Sequence, residues 1–161
     1  MRFNTDANGT ALSGTLGYRA KEHAFDFAPS RAADLAARTG PDGTTSIALG
    51  TLQLELDVTS GSALYAWGYS SRAMWTSQAL PAPELTRAAV RVQHDAALRP
   101  GVAVDFPNAK RWTFRYDPTS GWVHCGEDPP VTLGIEIASG VGLAIENGML
   151  RGVWLHPVIE P

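Results

Sequence analysis

The sequence predicts a mainly β domain, an antiparallel sandwich or partly open barrel built from hairpins and a C-terminal meander. Three observations carry this. Short apolar-polar alternations recur along the chain, Gly and Pro punctuate them, and only one stretch reads as a helix. The 161 residues are 44% apolar and 18% charged, enough for one buried core and far from the charge-rich profile of disorder. Sixteen Gly and eleven Pro are scattered as turns between short elements. No composition shift marks a boundary, so residues 1–161 read as a single globular domain.

The strongest hairpin is Leu52–Tyr69. Leu52, Leu54, Leu56 and Val58 alternate with Gln53, Glu55 and Asp57, which places four aliphatics on one strand face. Thr59-Ser60-Gly61-Ser62 turns the chain, and Tyr65, Trp67 and Tyr69 share a face of the returning strand. Sixty residues on, Trp112, Phe114 and Tyr116 repeat the device. Asp117 to Gly121 then turns into Trp122-Val123-His124-Cys125. Both turns read D-x-T-S-G, where the Asp accepts turn N–H bonds and the Gly supplies positive φ. No wider similarity links the halves at the level of sequence.

The meander occupies the last third. Val131–Ile137, Val141–Ile145 and Met149–Leu155 are its strands, with Ser139-Gly140 and Asn147-Gly148 as bends. Gly134, Gly142 and Gly152 mark bends or close packing within them. Near the N-terminus, Asn8-Gly9 is expected to join Arg2–Asn4 to a strand across Ala11–Tyr18. The one helix is expected near 31–38, with Ser30 as its N-cap and Gly40-Pro41 beyond its end. Residues 84–97 fit a helical stripe or an edge strand, and Val90-Arg91-Val92 favours a strand over 87–93. Val102–Phe106 is a further strand. Nine or ten strands are expected in all, and residues 70–84 form the longest stretch without regular structure.

Composition narrows the partners. The net charge is −3, and thirteen Lys and Arg against sixteen Asp and Glu leave no basic face, so nucleic acid is not expected to bind. No apolar run approaches the roughly 20 residues of a membrane helix, and the polar start at Met1 lacks a leader. A cytoplasmic protein is expected. Cys125 is the single cysteine, which rules out an internal disulfide.

Catalytic and cofactor signatures are not legible. His23, His94, His124 and His156 show no ligand spacing, so neither a metal nor a cofactor is expected. His124 and Cys125 are strand neighbours and point to opposite faces, and Cys125 reads as a small buried hydrophobe. No G-x-S-x-G elbow occurs. Were the chain an enzyme, His94, Asp95, His124 and Glu127 would be the residues to inspect. The strand-borne Trp67, Trp112, Trp122 and Trp154 read as packing.

Trp75 stands apart, in the loop Ser70–Thr76 with Arg72 and Met74. These residue types are enriched at interface cores, although Trp75 could instead fold back as a lid over the sheet. The functional expectation is therefore a protein-binding module, with a bacterial toxin-immunity protein as its sharpest form and Arg72, Met74 and Trp75 as its contact. A small-molecule or carbohydrate binder and an enzyme with a scattered site are the alternatives.

Overall fold

The computed structural model describes every residue, Met1–Pro161. Sixteen strands and one α-helix follow in order. They are β1 (Arg2–Asp6), β2 (Gly14–Arg19), β3 (Ala24–Pro29), α1 (Ala32–Arg38), β4 (Thr44–Leu49), β5 (Leu52–Asp57) and β6 (Ala63–Tyr69). Next come β7 (Thr76–Ser77), β8 (Glu84–Arg87), β9 (Ala89–Gln93), β10 (Val104–Asp105), β11 (Thr113–Tyr116) and β12 (Val123–Gly126). The last are β13 (Leu133–Ala138), β14 (Val141–Glu146), β15 (Met149–Leu155) and β16 (Val158–Glu160).

Two seven-stranded sheets and the two-stranded pair β1–β9 enclose the core, and neither sheet closes into a barrel. The architecture is the expected sandwich. The alternation in β5 explains its register, since Leu52, Leu54 and Leu56 are fully buried and belong to one apolar cluster with Ile47, Val123, Leu143 and Leu155. Burying such a face fixes strand register, because a one-residue slip would expose every aliphatic.

The alternation stops one residue early. Asp57 is buried with its carboxylate accepting the Gly40 and Ser60 N–H groups, and Val58 is only half-buried.

Several expectations need correction. β1 pairs antiparallel with β9, not with the strand that follows Asn8-Gly9. Arg31, not Ser30, occupies the N-cap of α1, without a side-chain cap bond, and its guanidinium pairs with Asp34 at 2.9 Å instead. Residues 70–84 hold a 3₁₀ turn (Arg72–Met74) and β7, and the strand expected over 102–106 shrinks to β10. The sheets are mainly antiparallel as expected, and only β7, β8, β10 and β16 join their edges in parallel. The strand at 87–93 is present as β9, and Asn147 and Gly148 both take the positive φ of a I′ turn.

The halves repeat one topology. One sheet runs β10-β4-β5-β6-β3-β2-β16, and the other, read from its opposite edge, runs β8-β13-β14-β15-β12-β11-β7. Within each, five consecutive strands lie in the order third, fourth, fifth, second, first. The register agrees at several places, although β13 carries a bulge between Glu136 and Ala138 that β4 lacks. Leu49 pairs with Leu52 across one two-residue turn and Ala138 with Val141 across its counterpart, and both fifth strands bulge at the matching place, at Leu64 and Arg151. The halves also exchange their ends, since β7 joins β11 and β16 joins β2.

The D-x-T-S-G turns are not the signature of this repeat. The first joins the fourth and fifth strands of its unit, and the second joins the first and second. They are alike as chemistry. Gly61 and Gly121, at φ +73 and +79, each donate to the Asp carbonyl at 2.8 Å. Each carboxylate then reaches a remote backbone N–H, Gly40 at 2.8 Å for Asp57 and Leu80 at 3.0 Å for Asp117.

Candidate functional site

Loop 70–75 lengthens the connection from β6 to β7. Its counterpart in the second half is only residues 156–157. Tyr18, fully buried, fixes the loop's base by donating its hydroxyl to the Ser70 carbonyl at 2.7 Å and accepting the Arg72 N–H at 3.2 Å. Burial, the largest influence on it, raises the Tyr18 pKa despite the opposing pull of Arg72.

Trp75 folds back. Its ring stacks on Phe25 (5.6 Å, 11°) and Phe114 (6.1 Å, 13°) and tilts against Tyr18 and Tyr116, and its indole N–H donates to Ser70 Oγ at 2.8 Å. The aromatics it meets come from both sheets, so Trp75 closes one end of the sandwich. Arg72 lies on the outside of this cluster, its guanidinium 5.3 Å from the Tyr116 ring centroid and 5.9 Å from that of Trp75. Met74 points the other way and is 79% exposed. Of the three residues singled out from sequence, two face solvent and one anchors the loop.

Met74 borders a pocket of about 430 Å³ between the β4–β5 turn and the start of β11. Leu49, Tyr69, Trp112 and Phe114 line it, with Lys110 and His23 as polar neighbours. Tyr69, 63% exposed, stands at the rim. The Cys125 thiol forms part of the wall but is only 1% exposed, and burial pushes its pKa up to about 12. The opposite end has a counterpart of about 320 Å³ between the β13–β14 turn and β2, where Leu16, Trp122 and His156 appear. The cavity thus comes with the fold, and the inserted loop gives the first one its apolar rim. The sequence does not single out Tyr69, Trp112 and Phe114, since Trp112 on a strand reads as packing and Tyr69 and Phe114 read only as members of aromatic strand faces. Only the fold brings them opposite the turn Gly50-Thr51.

The residues singled out for an enzyme sit on different elements. His94 follows β9 and its Nδ1 lies 2.9 Å from the Ala96 carbonyl oxygen, while Asp95 is exposed. His124 is fully buried on β12 with both ring nitrogens unpartnered. Burial, reinforced by Arg115, lowers its pKa to about 4. Glu127 pairs with Arg151 at 3.2 Å. No three His, Cys, Asp or Glu side chains cluster as metal ligands. No helix is long and apolar enough to cross a membrane. No family model matches the chain, and no curated protein matches it significantly.

Proposed function

We propose that this chain is a non-catalytic, cytoplasmic protein-binding module of the kind that toxin-immunity proteins represent, and that Met74, Tyr69 and Arg72 form its contact edge. The observation that carries the reading is the pairing of two large exposed side chains, Met74 and Tyr69, with a rigid aromatic base beside a pocket. A partner's apolar side chain inserted there would bury the Met74 thioether and the pocket walls together, without reorganising the loop. Preorganisation of this type lowers the entropic cost of binding. Trp75 serves by holding the base.

A photo-crosslinker installed in place of Met74, with one in place of exposed Asn147 as control, tests this in the native host. A discrete protein adduct from position 74 alone is expected, and loss of that adduct in Tyr69→Ala at unchanged melting temperature would follow. Identical products from both positions, or none from 74, would overturn the reading. The pocket volume also lies in the range of small-molecule sites, which favours an apolar small ligand as the second reading. A small molecule that co-purifies and is displaced by Met74→Trp would select it.

A further inference from the structure

The structural repeat permits a comparison that neither half allows alone. In the second sheet the outer face is covered. The connection from β12 to β13, residues 127–132, runs as a strap over it, and Val131 accepts the Trp154 indole N–H at 2.8 Å. Beneath the strap, Trp154, His124 and Gly126 are all buried. The strap is acidic and the sheet below it basic, with Asp128 3.4 Å from Arg115 and Glu127 3.2 Å from Arg151.

Trp67 occupies in the first sheet the place of Trp154 in the second, because Leu52 pairs with Gly68 as Val141 pairs with Leu155. Here the connection from β3 to β4 forms α1, which ties down at the sheet's end. Arg38 bonds to Thr10 and Ala11, and Gly40 to Asp57. The face around Trp67 carries no strap. Trp67, Gln53 and Tyr65 are half-buried and Asp26 is exposed. The Trp67 indole N–H donates sideways to Glu55 at 2.9 Å, which also accepts the Ser46 hydroxyl. The charges differ as well: Gly17 stands where the second sheet has Arg115, and Asp26, paired with Arg19 at 2.7 Å, where it has His124.

We infer that the face centred on Trp67 receives an extended, proline-containing, basic segment of a partner protein, laid across it as residues 127–132 lie across Trp154. The inference rests on the reading of the chain as a binding module, but not on the part of Met74 in it. The occupant follows from the molecule's own second half. An extended Pro-rich segment loses little entropy on docking and packs well on aromatic faces. Glu22, Asp26, Glu55 and Glu160 outnumber Arg19 on and beside this face and favour a cationic segment, whereas Arg115 and Arg151 hold the acids of the strap.

The test is a titration of the full chain, followed by the indole N–H resonance of Trp67 as assigned with Trp67→Phe. The probe is the heptapeptide Gly-Lys-Lys-Pro-Pro-Val-Thr, which is the strap from Gly126 to Thr132 with its acids replaced by lysine. A saturable shift at Trp67 is expected at peptide concentrations up to about 5 mM. Roughly tenfold weaker binding is expected for Gly-Glu-Asp-Pro-Pro-Val-Thr, and for the basic peptide on Glu55→Gln. No shift at Trp67, or equal shifts by both peptides, would overturn the proposal. So would a shift produced by a xylo- or cello-oligosaccharide and not by the basic peptide. Failure here leaves adducts from position 74 untouched, and absence of those adducts leaves a Trp67 shift untouched, so the two readings fail separately.

Discussion

Phe3 and Val92 face one another across the β1–β9 pair, and each donates its backbone N–H to the glycine that precedes the fifth strand of a different half. Phe3 donates to Gly148 at 2.9 Å and Val92 to Gly61 at 2.8 Å. The pair therefore marks the pseudo-twofold axis that relates the two units. With β7 and β16 exchanged between the sheets, neither half completes its sheet without the other.

A structure interlocked in this way should unfold as one unit. Leu54 and Leu143 hold matching positions on the fourth strands of the two units, and both are fully buried. Leu54→Ala and Leu143→Ala should each cost about 2–5 kcal/mol through lost transfer energy and the cavity left behind. Urea denaturation followed by tryptophan fluorescence and by far-UV circular dichroism should give one coincident transition in both variants. Separate transitions for the two probes would contradict the interlock.

The D-x-T-S-G carboxylates tie each turn to a distant segment. Burial works against the charge of Asp57, yet bonds from the Ser60 hydroxyl and the Gly40 and Ser60 N–H groups outweigh it and keep its pKa below the usual value. Asp57→Ala orphans these donors and should cost about 1–3 kcal/mol in chemical denaturation. In Asp117→Ala the Leu80 amide, which bonds to Asp117 at 3.0 Å, should exchange its hydrogen markedly faster while the Leu54 amide keeps its protection.

What the sequence revealed follows the range of the forces involved. The β5–β6 hairpin was legible because its register is set locally, by a short turn and one buried face. The partner of β1 was not, since Asn8-Gly9 suggested a local hairpin and β9 lies far along the chain. The structural repeat was hidden because its equivalent positions share burial far more than identity. Tyr18 with Tyr116, Trp67 with Trp154 and Leu54 with Leu143 are among the few that agree. The most visible likeness, D-x-T-S-G, encodes turn chemistry and so recurs at turns that are not equivalent. The loop types at Arg72, Met74 and Trp75 could be read from composition. The inward turn of Trp75 was one of two readings the sequence left open, and its partners could not be named, because Phe25 and Phe114 meet it from two sheets.

Cys125 tests whether the pocket wall is sealed. Burial is the largest influence on its thiol, Arg115 opposes it weakly, and the pKa is pushed up to about 12. Almost no thiolate exists at pH 8, so a maleimide or disulfide reagent should label the native protein very slowly and the urea-unfolded protein at once. Rapid stoichiometric labelling without denaturant would show that the wall behind Phe114 opens.

His124 gives the fold a specific acid sensitivity. The ring is fully buried against Trp154, 4.6 Å between centroids, and both nitrogens lack partners. Burial, with Arg115 adding to it and Asp128 opposing, lowers its pKa from 6.5 to about 4. The unfolded chain therefore binds a proton on this residue between those values while the folded chain does not. Stability is complete above pH 6.5 and falls as the pH drops toward 4, by on the order of 3 kcal/mol from this group alone. Asp57 and Asp117, whose folded pKa values lie below 3.8, add their own losses only at lower pH. The urea midpoint of the native protein should therefore decline steadily from pH 6.5 to 4. In His124→Leu, which cannot titrate, the decline over that window should flatten even if the variant is less stable at pH 7. An unchanged slope in the variant would mean that the buried imidazole takes up its proton without unfolding, with Asp128 drawn in to meet it.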